Sequence, residues 1–329
     1  MDAVRSSSII QHLSQLQRIA AMVKIGSRGS KLALWQAEWV KATLAAQNPG
    51  LAVAIEIIKT TGDRYQEIAP PTEMPKGLFT KEIQDAVLAG TVDIAVHSLK
   101  DLPTELHSEL SLAAITARAN PYDALISPYK TLAALPSQAR IGTTSTRRRS
   151  QLAHQRPDLE FVELRGNVDT RLRKLDNQEY DAIILAAAGL TRLGLNDRIT
   201  ELLAPEILLP AVGQGALGIE IRATDTATAA LIAPLNDWAT AHACTAERAF
   251  LKGLGGGCLV PIAAFAEVDN TLQQLRLRGC VASLDGKIVL KDSLQVTTVD
   301  LTQATAAALG QQLATQILAA GGDQLLSLH

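Results

Sequence analysis

The 329 residues carry 31 Lys and Arg against 33 Asp and Glu, a net charge of −2, and are 47% hydrophobic, 19% charged and only 3% aromatic. A chain of this length exceeds one ordinary core and predicts two or three domains; its composition excludes disordered and fibrous classes, and its charge gives no global attraction for nucleic acid or a membrane. The three cysteines, Cys244, Cys258 and Cys280, include no Cys-x-x-Cys pair, which argues against a secreted disulfide framework and for a reducing, cytoplasmic setting.

Residues 1–22 lack a basic start, an apolar stretch and a small-residue cleavage site, and read as an N-terminal extension. From Val23 a βαβαβ pattern follows. "VKIGS" is a strand, and "SKLALWQAEWVKATLAAQ" a helix with Leu32, Trp35, Trp39 and Leu44 at helical spacing. "LAVAIEIIKTTG" is a strand running into a turn, "FTKEIQDAVLAG" a helix closed by glycine, and "TVDIAVHS" a strand. That alternation predicts a parallel sheet with helices on both faces and ligand loops at the carboxyl ends of its strands. A second α/β unit begins after "ARANPYD", with strands "ALIS", "ARIGTTS", "LEFVELR" and "YDAIILAAAG" and helices "TRRRSQLAHQ" and "VDTRLRKLDN". Two similar lobes imply a cleft. From about residue 238 the texture changes to meander strands and an Ala-rich helix over 301–319, which predicts a smaller α+β unit opened by the loop "LGGGCLVP". The glycines there strip side chains from the backbone around Cys258 and let a bulky group approach.

"GQGALG" at 213–218 has the letters of a dinucleotide fingerprint, but a strand pattern, "IEIR", follows where a helix is required. The six histidines are scattered without metal-ligand spacing, so no metal is expected. Between Arg140 and Lys174 nine basic residues face four acids. Arg147 and Arg148 follow a strand end entering a helix, and Arg165 ends the strand "FVELR" before Gly166; those are crevice positions. Arginine forks bind carboxylates bidentately, so this lobe suits a carboxylate-rich ligand. Nucleic acid would also need stacking aromatics, and residues 140–174 hold only Phe161. In "HSLKDLP" (97–103), Lys100 and Asp101 fall at another carboxyl-end loop; Asp101 either pairs with Lys100 or faces a cation formed during reaction.

Long segments in order, among them "IGSRGSKLALWQA", "DIAVHSLKDLPTE", "IGTTSTRRRSQL", "LRGNVDTRLRKL", "LPAVGQGALGIE" and "TAERAFLKGLGGGCLVPI", make the chain resemble the porphobilinogen deaminase (hydroxymethylbilane synthase) family from about residue 24 onward. The resemblance implies a transferase that joins four porphobilinogen molecules head to tail, releasing ammonia each time, on a dipyrromethane cofactor held by a thioether to Cys258. It implies that Asp101 stabilises the azafulvenium cation left after ammonia departs. It implies carboxylate binding by Arg28, Arg147, Arg148, Arg165, Arg171 and Arg192, with Ser30, Lys100 and Ser145 as supporting donors. Of these, Lys100, Ser145, Arg147, Arg148 and Arg171 serve the cofactor, and Arg28, Ser30, Arg165 and Arg192 the substrate. Arg149, Arg156 and Arg173 are left as surface charges, and Cys244 and Cys280 as packing residues. The chain departs from many relatives at "PPTEMP" ahead of "KGLF" and at Leu259.

The expected architecture is two doubly wound, periplasmic-binding-protein-like α/β lobes around a cleft plus a smaller α+β C-terminal domain. The expected boundaries are 23–117 with 213–236, then 118–212, then 237–329. A cytoplasmic monomer acting on a small molecule, with neither nucleic acid nor membrane as partner, completes the expectation. The rival is a two-lobed anion-binding module without catalysis, which has no use for a third domain presenting a cysteine.

Overall fold

A computed structural model of the chain describes residues 22–64, 79–256, 260–269, 271–297, 299 and 301–327. Residues 1–21, "PPTEMP", Cys258 and Leu259 lie outside the described residues. Three separate sheets organise the molecule, two of five strands and one of three.

The first lobe is built on β1 (Val23–Ser27), β2 (Val53–Ile57), β3 (Ile94–Ser98), β4 (Leu110–Ile115) and β10 (Leu217–Arg222), in the order β2-β1-β3-β10-β4. The first three are parallel, as the alternation predicts. The sheet is nevertheless mixed, because β10 inserts antiparallel between β3 and β4. The second lobe repeats this plan with β5 (Asp123–Ile126), β6 (Arg140–Gly142), β7 (Glu160–Val162), β8 (Ala182–Ala186) and β9 (Glu201–Leu203), ordered β7-β6-β8-β5-β9. Here β6, β7 and β8 run parallel, and β5 is antiparallel to both its neighbours.

The two antiparallel strands are those fed by the chain crossings between lobes, and their direction matters for the site. A strand reversed against parallel neighbours starts where they end. Asp123, first in β5, therefore pairs with Ala186, last in β8, and Leu217, first in β10, pairs with Ser98, last in β3. Both crossings are thus delivered to the carboxyl ends of the parallel strands, where α/β sheets place their ligands.

Helix α1 (Lys31–Gln47) is capped by Ser30, whose Oγ accepts from Ala33 N. Its buried face is Gln36, Ala37, Val40 and Leu44. Trp35 and Trp39, read from spacing as part of an apolar face, are 38% and 37% exposed instead, because Ala37 and Val40 fit the tight approach to the sheet and leave the indoles at its flank. Helix α2 (Lys81–Leu88) covers the same sheet through Ile83 and Val87. In the second lobe α3 (Thr146–Gln155), α4 (Val168–Asp176) and α5 (Ala187–Arg192) each follow a parallel strand. After β10 come α6 (Thr226–Ile232) and α7 (Trp238–Gly253).

The third sheet is an antiparallel meander, β11 (Ile262–Asp269), β12 (Gln274–Ala282) and β13 (Val289–Thr297), packed on α7 and α8 (Gln303–Ile317) around Phe250, Leu277 and Leu313. Gly310 lets these two helices meet, since a Cβ there would stand 2.2 Å from Ala246 O. Cys244 and Cys280 are buried in helix and strand as packing residues, and burial pushes both thiols up to about 12. No described helix is long and apolar enough to cross a membrane.

Candidate active site

On the first lobe, β1 ends at Ser27 and leads into Arg28 and Ser30, and β3 ends in a single 3₁₀ turn, Leu99–Asp101. Arg28, Ser30 and Asp101 line one pocket together with Gln36, Phe79 and Ser98. The Arg28 guanidinium lies 4.2 Å from the centroid of the Phe79 ring. Gln36 Nε2 donates to Ser98 Oγ at 2.8 Å, tying α1 to the end of β3. Asp101 is exposed and has no hydrogen-bond partner among the described residues. Also lining the pocket, buried His97 places Nε2 3.0 Å from Glu220 Oε2 without aligning a hydrogen bond, and Gln84 donates to both Glu220 oxygens.

On the second lobe, α3 starts at Ser145, whose Oγ accepts from Arg148 N at 3.4 Å. The helix opened by this cap carries Arg147 and Arg148 on its buried face. Arg147 and Arg148 are 7% and 6% exposed. Both converge on the fully buried Asp123: Arg147 Nη1 donates to Oδ2 at 2.7 Å, and Arg148 donates to Oδ1 from Nε at 3.0 Å and Nη2 at 2.7 Å. The remaining described contacts are to backbone, Arg147 Nη1 to Leu209 O and Arg148 Nη1 to Ile184 O. Although burial opposes ionisation of Asp123, the two guanidiniums outweigh it and hold the carboxyl well below its usual range.

A buried amide joins this cluster to the first lobe. Gln214 Nε2 donates to Asp123 Oδ1 at 3.1 Å and to Pro121 O at 2.7 Å, while its Oε1 accepts from Lys100 Nζ at 3.3 Å. One polar chain therefore runs from Lys100, beside Asp101, to Arg147 and Arg148. Desolvation, with the Arg148 and Arg147 charges adding to it and Asp101 and Asp123 opposing, pulls the Lys100 ammonium down to about 8. Lys100 is solvent-exposed, and water in the open cleft softens that shift.

The other arginines singled out in the sequence fall in four situations. Arg171 Nε donates to Gly166 O at 2.7 Å, and desolvation and the Arg148 charge pull its guanidinium down to about 10. Arg192 Nη2 donates to Gly215 O at 2.7 Å, and desolvation alone brings it to about 10. Neither has a carboxylate on it among the described residues. Arg165, in contrast, is exposed and paired with Glu163. Arg149 and Arg173 are surface charges as expected. Arg156 is not: it closes α3 by donating to Leu132 O, Leu135 O and Asp158, a backbone brace that its place in a run of basic residues concealed.

Asp123, Gln214 and Glu247 are the residues that sequence reasoning missed. Glu247, fully buried on α7, accepts from Arg118 Nη1 at 2.6 Å and Nη2 at 2.9 Å, from Gly213 N at 2.6 Å and from Ala266 N at 2.8 Å. It binds both interlobe crossings to the third domain. "GQGALG" has the same structural office: Gly215, at φ +93°, brings the returning crossing against the outgoing one, where a Cβ would meet Ala119 O at 2.5 Å, and the strand β10 follows as the pattern requires. The only available signal was two glycines around a Gln with no helix behind them.

Among the described residues no cluster of three His, Cys, Asp or Glu could hold a metal ion. The donor set is instead guanidinium-rich, which fits a ligand with several carboxylates.

Comparison with known proteins gives the family. Residues 23–230 match the model described as "Porphobilinogen deaminase, dipyromethane cofactor binding domain", and 241–319 match "Porphobilinogen deaminase, C-terminal domain". The chain is 49% identical over 309 residues to the porphobilinogen deaminase of Syntrophotalea carbinolica, covering 94% of this chain and 96% of that one. It is 50% identical over 305 residues to that of Moorella thermoacetica, covering 92% and 95%. Among solved structures, the periplasmic VFT2 domain of Bordetella pertussis BvgS is similar at 14% identity and a TM-score of 0.39, covering 67% of this chain and 90% of that one, a likeness too distant to bear on function. With both family models matched along almost its whole length, the chain belongs to the porphobilinogen deaminase family.

Proposed function

We propose that the protein is a hydroxymethylbilane synthase, polymerising four porphobilinogen molecules with loss of four ammonia and then releasing hydroxymethylbilane. The observation that carries this reading is the polar chain Lys100–Gln214–Asp123–Arg147/Arg148, which links the Asp101 turn of the first lobe to the buried arginines of the second. The dipyrromethane cofactor, held by a thioether to Cys258, supplies when bound the pyrrole carbon that is extended. Its four carboxylates need cations that stay charged away from bulk water, and an unpaired carboxylate there would cost several kcal/mol or more, of the order given by ion desolvation. Arg147, Arg148 and Arg171, with Lys100 and Ser145, would hold that group. Arg28, Ser30, Arg165 and Arg192 would receive the acetate and propionate of porphobilinogen.

Asp101 carries the electrostatic role. Loss of ammonia from porphobilinogen leaves a positive charge shared with the pyrrole nitrogen, and a fixed carboxylate beside it lowers the barrier to that charge. Because Asp101 has no hydrogen bond to break among the described residues, none of their polar groups competes with the substrate for it. Lys100, at the preceding position, would offer the cofactor carboxylates an ammonium that balances them. Arg28, set over Phe79 beside Asp101 in the pocket, would steer the substrate carboxylate so that the leaving amine lies near Asp101.

The proposal includes the division into 23–117 with 213–236, 118–212 and 237–329, supported by one sheet in each part. It also includes a cytoplasmic setting, which the two buried, unpaired thiols support, and a monomer with neither nucleic acid nor membrane as partner.

Mass spectrometry of the purified protein with limiting porphobilinogen tests the activity. Stepwise gains of one pyrrole unit, each matched by one ammonia, are the expected result. Binding without ammonia release or mass gain would replace this reading with the two-lobed anion-binding module.

A further inference from the structure

Both described partners of Arg192 lie outside its own lobe. The residue ends α5 of the second lobe, yet its Nη2 donates to Gly215 O on the returning crossing, and its guanidinium carbon lies 5.7 Å from the centroid of the Trp35 ring on α1 of the first lobe. The two helices meet in register. Gly189 has no side chain, and a Cβ there would stand 3.6 Å from Leu32 Cδ2, so Leu32 lies over Gly189. Three residues further along each helix, Trp35 meets Arg192, as the spacing of one helical face requires. A core role does not account for Trp35, because α1 packs on its sheet through Ala37, Val40 and Leu44 and leaves the indole 38% exposed. The adjoining face of α1, Ala33 and Gln36, lines the pocket that contains Asp101.

The indole face attracts a guanidinium without neutralising its charge or using its N–H groups. Held that way, and by a single carbonyl, Arg192 keeps hydrogen-bonding capacity for an anion. We propose that Trp35 is a positioning residue for substrate binding: it holds Arg192 across the boundary between the lobes, presenting the guanidinium to an incoming porphobilinogen carboxylate while α1 and α5 stay in contact. The inference rests on the reading of Arg192 as a substrate-binding residue. It adds that the substrate's grip depends on lobe separation, because the ring and the guanidinium belong to different lobes.

The test is a double-mutant cycle on the holoenzyme with porphobilinogen as substrate. Trp35→Leu raises KM about two- to fivefold, the range expected for a partly exposed cation–π contact, with a smaller change in kcat; Trp35→Phe, which keeps an aromatic face, restores most of the loss. In an Arg192→Gln background Trp35→Leu has no further effect. A second measurement is independent of turnover: with Trp39→Phe and Trp238→Phe leaving Trp35 as the sole tryptophan, its emission shifts when Arg192→Gln is added. An equal KM increase in both backgrounds, an unchanged KM, or emission insensitive to Arg192→Gln overturns the proposal. A wild-type protein that does not consume porphobilinogen is a different result, and it removes the functional reading itself.

Discussion

The two walls of the cleft hold their charges in opposite ways. On the first lobe Asp101 and Lys100 are exposed on a single 3₁₀ turn, and Asp101 is without an internal hydrogen bond among the described residues. On the second, Arg147 and Arg148 are almost completely buried and clamped onto the fully buried Asp123. On the proposed function, one wall would be left open for chemistry that creates charge, and the other is already organised by its own ion pairs. A group of fixed polarity has to be held in place to bind repeated carboxylates, whereas the group that meets a developing cation gains most by having no competing partner.

The largest effect should come from breaking the buried side. Asp123→Ala strands two guanidiniums, and loss of one partner from a buried ion cluster costs about 3–5 kcal/mol; chemical denaturation measures it. The same carboxylate sets an acid limit. Its folded-state pKa lies below the unfolded value, so its contribution is complete above the unfolded pKa of about 3.9 and is lost only as pH falls further toward the folded pKa. A denaturation midpoint that drops between pH 7 and 5 only when Asp123 is present would contradict that assignment.

On the open side, Asp101→Asn should leave the melting temperature unchanged while kcat falls roughly 100- to 1000-fold, the scale of losing one preorganised electrostatic partner. A smaller change follows for Lys100. Because its ammonium is pulled down toward about 8 and water softens that shift, cofactor uptake by the apoprotein should slow as pH rises above that value and the positive charge is lost. Lys100→Arg, which stays charged, should flatten the dependence; an identical pH profile in the variant would remove Lys100 from cofactor binding. The least effect belongs to Lys31 and Asp169, an exposed pair at 2.6 Å that joins α1 to α4. Lys31→Ala should cost less than about 1 kcal/mol, and a greater loss in denaturation would show that the lobes depend on this pair.

The alternation of strands and helices was readable because each lies in a continuous stretch with its own period. The reversal of β10 was not, since its partners in β3 and β4 are more than 100 residues away and nothing local marks the insertion. Arg147 and Arg148 stood out by type and by their place after "GTTST", but Asp123 is only the Asp that opens "DALI" until the fold sets it beneath them. Gln214 was hidden in a motif rejected for another reason. The four bonds of Glu247 come from the outgoing crossing, the returning crossing and β11, a convergence absent from any one segment. Trp35 was read only as one of four apolar residues at helical spacing, because spacing gives a face and not the depth to which it sinks.

The claim on which the account depends is that a dipyrromethane is attached at Cys258, and the intact mass of the resting protein tests it most directly. The expected mass exceeds that of the polypeptide by two linked pyrrole units, and Cys258→Ser abolishes the difference together with activity. A fully active protein at the unmodified polypeptide mass would contradict it.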